Sequence, residues 1–305
     1  MGRRWLVLVN AAAGSVADSG RQLRTIADAF RVAGIECVVR AMRPEQFIDT
    51  VRASWDQSFD ALIVAGGDGT VHTGAGIAIE LDLLLGVLPL GTLNHFAKDI
   101  GMPIGNLANA VEWLRTAVEI AVDVGDANGT VFVNNASIGA YPAMVIYRDE
   151  ICRRRGWGKV RATPAAIART LRRLHVFDVT VKVDDAAPEP LTTAFLFVGN
   201  GVFDRHGNHV GRRTSLTDHR LGLYVIATST RRRLVANAIA ARLRGVTAAH
   251  ETERYRAESL EVAAHEPSLL IALDGEPTNL STPITFHSRP SALRILVSPT
   301  RSDLS

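Results

Sequence analysis

Two Gly-rich turns, each following an apolar run, carry the residues of this 305-residue chain that could handle phosphate. The first lies in Asp60-Ala-Leu-Ile-Val-Ala-Gly66-Gly67-Asp68-Gly69-Thr70-Val71-His72. Glycines there admit positive φ and let backbone amides come close to an anion. The segment is neither common phosphate loop, because GxxxxGK[ST] lacks its Lys and GxGxxG fails at His72. Asp68 is the informative residue. A carboxylate among phosphate-binding amides repels the phosphate unless a cation sits between them, so the turn suits a Mg-nucleotide. On spacing alone, a tight strand-to-helix connection accounts for it as well.

The second turn is Pro89-Leu90-Gly91-Thr92-Leu93-Asn94-His95, where Thr92 and Asn94 can cap a helix or donate to phosphate or ribose. A cap alone would explain this segment; two such turns after adjacent strands favour a nucleotide. Farther on, an apolar run from 268 ends in Asp274-Gly275-Glu276. Asp-Gly is a common hairpin turn. It is also a carboxylate that could take a hydroxyl proton during phosphoryl transfer. Other chemistry is poorly supported. His206 and His209 have no carboxylate or Cys cluster beside them, and Asn135-Ala136-Ser137-Ile138-Gly139 lacks the first Gly of a GxSxG elbow. Cys37 and Cys152 form no CxxC, which leaves no disulfide framework or Cys-based zinc site and points to a reducing cytoplasm.

The elements that must position these residues alternate over the first 125 or so positions. Strands are expected at 5–9, 35–40, 61–65, 85–88 and 119–124, with helices over 19–32, 44–55, 71–80 and 106–117. That rhythm implies an open parallel sheet with helices on both faces, in which ligands bind at the carboxyl ends of the strands. Short strand-like runs follow at 131–134, 176–183, 193–198, 221–228, 259–262, 269–273 and 293–297, interrupted by helices over 157–173 and 230–244. The expected fold is α/β: a doubly wound, mostly parallel nucleotide-binding domain over 1–126 and a β-rich, sandwich-like domain over 127–298. Its last strand is free to return to the first domain, and 299–305 form a polar tail.

The length suits two domains with cores of their own. A net charge of +3, with 47% hydrophobic and 21% charged residues, excludes disorder and collagen-like structure. The apolar run at 5–9 is too short for a signal peptide, and the best window for a membrane span, 77–90, carries Glu80 and Asp82. A cytoplasmic protein, peripheral at the inner face of the membrane, is expected. Two basic segments, 153–173 and 231–244, could rest on anionic headgroups at about 1 kcal/mol per Lys or Arg; solvated helix faces explain them too. With 6% aromatic residues and no recognition motif, nucleic acid is not an expected partner. A homo-oligomer stays open.

Taken in order, Asn10-Ala11-Ala12-Ala13-Gly14, Gly66-Gly67-Asp68-Gly69-Thr70, Pro89-Leu90-Gly91-Thr92-Leu93-Asn94, the stretches 131–139 and 198–200, and Asp274-Gly275-Glu276 resemble the diacylglycerol kinase catalytic domain family of lipid kinases. The Gly66–Thr70 motif alone is shared with NAD kinases. The resemblance implies ATP bound in the first domain, a lipid site in the β-rich second domain, and catalysis in the cleft between them. Gly67, Asp68, Gly69, Thr70 and Thr92 would hold ATP, with Gly66 and Asn94 in the same turns. Asn10 would line that pocket, and Asp68 would reach Mg²⁺ through water. Asp274 would be the general base, with Glu276 and Asp123 as its carboxylate network. Three departures stand out: Ala11 replaces a usual Pro, Thr73 a frequent Glu, and His219 and Gly222 replace Gly and Asp of a second metal motif in which Asp218 remains. The implied activity is an ATP- and Mg²⁺-dependent lipid kinase acting on diacylglycerol or a related lipid. The alternatives are an NAD kinase-like small-molecule kinase and a non-catalytic nucleotide-binding regulator.

Overall fold

The computed structural model describes residues 3–11, 16–56, 58–174, 176–203, 213, 215–226 and 252–299. The contacts divide the chain into two compact units, 1–123 with 290–305, and 124–289.

In the first unit, β1 (Arg4–Asn10), β2 (Glu36–Met42), β3 (Ala61–Gly66) and β4 (Leu85–Pro89) form a parallel sheet in the order β2-β1-β3-β4. The C-terminal part of β16 (Ile284–Val297) joins parallel to β4, with Ile295 opposite Leu85. β1 and β3 are buried almost end to end, as strands covered on both faces must be. The strand order reverses after β2. Right-handed crossovers therefore put α1 (Val16–Val32) on one face and α2 (Phe47–Ser54) and α3 (Asp68–Glu80) on the other. Accordingly α1 touches α5 (Leu107–Thr116), and α2 touches α3. Ile26 and Phe30, four apart on α1, are buried, and Phe30 meets Trp5 of β1 edge to face at 5.7 Å between centroids. Reversal between β1 and β3 opens a crevice at their carboxyl ends, the position of Asn10 and of the Gly66-Gly67 turn.

β5 (Val118–Ala127) runs from the first unit into the second. There β7 (Asn135–Gly139), β10 (Phe195–Asn200), β11 (Leu221–Ile226), β12 (Thr252–Ala257), β14 (Ser268–Leu273) and β15 (Glu276–Ser281) form an antiparallel sheet in the order β12-β11-β10-β7-β14-β15. β8 (Phe177–Val183), β9 (Glu189–Thr193), β13 (Ser259–Ala264) and the first part of β16 form the other layer. Alternate residues of the two, among them Ile138, Val198, Leu223 and Ile271 with Val181, Val262 and Phe286, close one core. β6 (Thr130–Phe132) adds Phe132, edge to face with Phe286 at 6.4 Å.

One expectation needs correction here, and one helix adds to those expected. The strand expected over 131–134 ends at Phe132, and the chain bends at 133–134 before β7 begins; the cause is Asp274, described below. The helix expected over 157–173 is preceded by another, α6 (Ala140–Arg155), which meets α7 (Lys159–Arg172) through Gly156 in the left-handed conformation. The apolar residues of α6 do not gather on one face, so no periodicity marks it. The expected helix over 230–244, the histidines His206 and His209, residues 12–14 and most of the polar tail lie outside the described residues.

Candidate functional site

The first unit brings its two Gly-rich turns into contact. A Cβ on Gly91 would stand 2.4 Å from the Gly67 Cα, and one on Gly66 would stand 2.3 Å from the Thr70 Oγ1, so neither position has room for a side chain. Leu90 and Gly91 donate their N–H groups to the Gly66 carbonyl at 2.9 and 3.2 Å. Asn94 sits in the left-handed region, φ 50°, and closes its own turn: Oδ1 accepts from the Gly91 N–H at 3.1 Å and Nδ2 donates to the Gly91 carbonyl at 2.8 Å. Asn94 is thus buried and spent on the turn, while Thr92 is exposed. Across the crevice, Asn10 Nδ2 donates to Thr70 Oγ1 at 2.9 Å.

Asp68 has a structural task that spacing did not suggest. Its Oδ1 accepts the His95 N–H at 2.7 Å, tying the first turn to the start of the short helix α4 (His95–Asp99). Oδ2 makes no hydrogen bond among the described residues, so one oxygen is left to face a cation. The glycines are bare where a side chain would block close approach, and Asp68 offers a carboxylate oxygen beside them. That donor set fits a nucleotide with its Mg²⁺. Replacing Gly91 by Ala should force the turns apart and destabilise the protein by about 1–3 kcal/mol. Thermal unfolding checks this.

Asp123, on β5 in the same unit, is buried, and its Oδ1 accepts the Ser291 N–H at 2.9 Å. Asp274 and Glu276 belong to the second unit. The β14–β15 hairpin turns on Asp274 and Gly275, φ 49° and 87°, two left-handed residues as a type I′ turn demands. The turn reading of Asp-Gly is therefore correct, yet the side chain does more. Asp274 is 8% exposed, and its carboxylate accepts three successive backbone amides: Val133 on Oδ2 at 2.8 Å, Asn134 and Asn135 on Oδ1 at 2.7 and 3.0 Å. Its own N–H donates to the Asn135 carbonyl at 2.8 Å. In an extended strand successive N–H groups point to opposite sides. Three facing one carboxylate require the bend at 133–134. Glu276, opening β15, is exposed.

Residues 4–127 match the diacylglycerol kinase catalytic domain, and residues 148–297 match the YegS C-terminal NAD kinase beta sandwich-like domain. The chain belongs to the diacylglycerol kinase catalytic domain family. A diacylglycerol kinase of Bacillus subtilis (strain 168) is 38% identical over 85 residues, spanning 27% of this chain and 28% of that one. A Staphylococcus haemolyticus protein assigned as a lipid kinase is 26% identical over 269 residues, 82% of this chain and 80% of the other. The crystal structure of a Bacillus anthracis protein assigned as a diacylglycerol kinase matches with a TM-score of 0.73 at 22% identity, covering 98% of both chains, which speaks to the fold.

Several positions around these family motifs were not read from the sequence. Residues 131–139 and 198–200 carried the resemblance without any assigned chemistry, yet they supply the amides on Asp274 and the side chain of Asn200. Arg213 showed no sequence signal at all. Asp218 is described but its neighbours 204–212 and 214 are not; among the described residues no group of three or more His, Cys, Asp or Glu could hold a metal. Cys37 is half-buried, and burial, with Glu36 beside it, pushes its thiol above the ordinary range, which makes it a poor nucleophile. Among the described residues, no helix is long and apolar enough to cross a membrane.

Proposed function

We propose that the chain is an ATP- and Mg²⁺-dependent lipid kinase, transferring the γ-phosphate of ATP to a hydroxyl of diacylglycerol or a related lipid. The observation that carries the nucleotide half is the apposition of Gly67 and Gly91 at the switch point of the sheet, with Asp68 beside them. Gly66, Gly67, Gly69, Thr70 and Thr92 would hold the nucleotide, and Asn10 would orient Thr70. Asn94 keeps the second turn in shape. Asp68 would hold Mg²⁺ through water, and the ion would neutralise charge on the phosphate oxygens.

The lipid hydroxyl oxygen bonds to the γ-phosphorus as the bond to the ADP oxygen breaks. The hydroxyl proton passes to the Asp274 carboxylate, whose Oδ2 accepts the Val133 N–H. Fixed amides hold that carboxylate in place, so little reorganisation accompanies the transfer. Glu276, two residues on in the same hairpin, would support Asp274, and the family resemblance gives Asp123 a supporting role as well. An NAD kinase-like activity is the second reading, since the Gly66–Thr70 motif occurs in both. The test is labelled phosphate transfer from ATP-Mg to diacylglycerol, ceramide, sphingosine and NAD offered separately. Label on one of the lipids and none on NAD is the expected result; label on NAD alone would contradict it.

The acceptor lies in a membrane, and the α6–α7 connection suits a peripheral contact with an anionic inner leaflet. Trp157 lies between the guanidinium groups of Arg155 and Arg161, at 5.0 and 4.4 Å from its ring, and Val160 beside it is 76% exposed. Arg153, Arg154 and Lys159 add charge, although Arg154 is paired with Glu150. At about 1 kcal/mol per basic residue, Arg155→Gln with Arg161→Gln should weaken binding to phosphatidylserine vesicles roughly thirty-fold. Sedimentation with vesicles, repeated at high salt, checks it. The second basic segment, 231–244, lies outside the described residues.

A further inference from the structure

Arg213 is a charged side chain, 7% exposed, that no step above uses. Its Nη1 donates to the Val133 carbonyl at 2.7 Å and the Asn200 carbonyl at 3.3 Å. Asn200 Nδ2 donates to the same Val133 carbonyl at 3.0 Å, and the Asn200 N–H donates to the Asn134 carbonyl at 2.9 Å. The bend at 133–134 is therefore held from both sides. Its N–H groups converge on Asp274, and its carbonyls are taken by Arg213 and Asn200. The peptide between Val133 and Asn134 has the guanidinium on its oxygen and the carboxylate on its N–H.

A backbone bent against its extended preference persists only where the surroundings over-determine it. Without donors on the far side, the Val133 carbonyl would be buried and the bend could relax toward a regular strand. Relaxation would turn alternate amides away from Asp274. We propose that Arg213 and Asn200 are positioning residues for Asp274, acting through the Val133–Asn135 bend to fix where its carboxylate meets the acceptor hydroxyl. Their bonds to the Val133 carbonyl act on the bend. This rests on Asp274 being the general base, as proposed above.

The nucleotide turns belong to the other unit, so a positioning defect should lower kcat and leave KM for ATP alone. Small displacements of a reacting group can cost on the order of 100-fold. Arg213→Met should lower kcat by that order, with KM for ATP within about twofold of wild type. Arg213→Lys retains one charged donor for the Val133 carbonyl and should recover most of the loss. Amide exchange across 130–136, followed in the full-length protein, should quicken in Arg213→Met and return toward wild type in Arg213→Lys. Unchanged kcat in a folded Arg213→Met would overturn the proposal. So would unchanged exchange at 130–136, or a global loss of stability that Arg213→Lys does not relieve. An active Asp274→Asn would sink the base assignment separately, while the exchange result would still report on the bend.

Discussion

Replacing Asp274 by Asn should reduce kcat by about 10²–10⁴-fold, the usual contribution of a general base. ATP binding, measured by calorimetry, should change little, because the turns proposed to hold the nucleotide lie in the other unit. The same substitution will not be thermodynamically silent. The three amides on the carboxylate need acceptors on both oxygens. An Asn carboxamide offers one acceptor oxygen, and its NH₂ must confront a backbone N–H with another donor. The penalty for a buried donor left unmatched is about 1–3 kcal/mol. The expected phenotype is a folded, less stable, nearly inactive enzyme with ATP affinity intact. Asp274→Ala, which removes every acceptor, should unfold at a still lower denaturant concentration. Full activity in Asp274→Asn would remove Asp274 from the chemistry and leave it as the anchor of the bend.

Asp68 separates into two roles by the same logic. Its Oδ1 tethers the His95 N–H, and an amide oxygen can do that as well as a carboxylate. Asp68→Asn should therefore preserve the contact between the turns and lose the charge that would face Mg²⁺. Loss of one electrostatic partner of the transferring phosphoryl group costs on the order of 10²–10³-fold. The expected result is a fall of that size in kcat/KM for ATP, eased in part by raising Mg²⁺, with thermal stability close to wild type. Asp68→Ala should lose stability as well, since the tether goes too. If Asp68→Asn keeps wild-type activity and only Asp68→Ala fails, Asp68 is a tether and the cation assignment is wrong.

What was legible beforehand follows from how local each feature is. Alternation of β-branched runs with helical periods announces the first unit, because each strand, turn and helix there is contiguous and the Gly-rich turns end buried strands. Asp68 was read through charge alone. Its bond to His95, twenty-seven positions away, has no local signature. Asp-Gly at 274–275 marks a hairpin by itself, and the structure has that hairpin. The acceptor role toward Val133, Asn134 and Asn135 depends on a partner about 140 residues earlier, which no spacing rule reaches. The bend at 133–134 reads as a strand because it continues the strand-forming run Val131-Phe132-Val133; Asp274, Asn200 and Arg213 hold it bent. α6 escaped because Pro142 and a C-terminal run of arginines disguise a helix whose apolar residues circle its axis. Arg213 sits in a polar stretch where an arginine is unremarkable until its burial is known.

Phosphorylation of a lipid hydroxyl is the central claim, and one measurement addresses it most directly. The purified chain is incubated with γ-labelled ATP, Mg²⁺ and mixed micelles of a total lipid extract, and the organic phase is analysed for new phosphomonoesters, with Asp274→Asn alongside. The predicted result is a labelled lipid monoester formed by wild type and absent with the variant. Label confined to the aqueous phase, in NAD phosphate or in inorganic phosphate, would contradict the account.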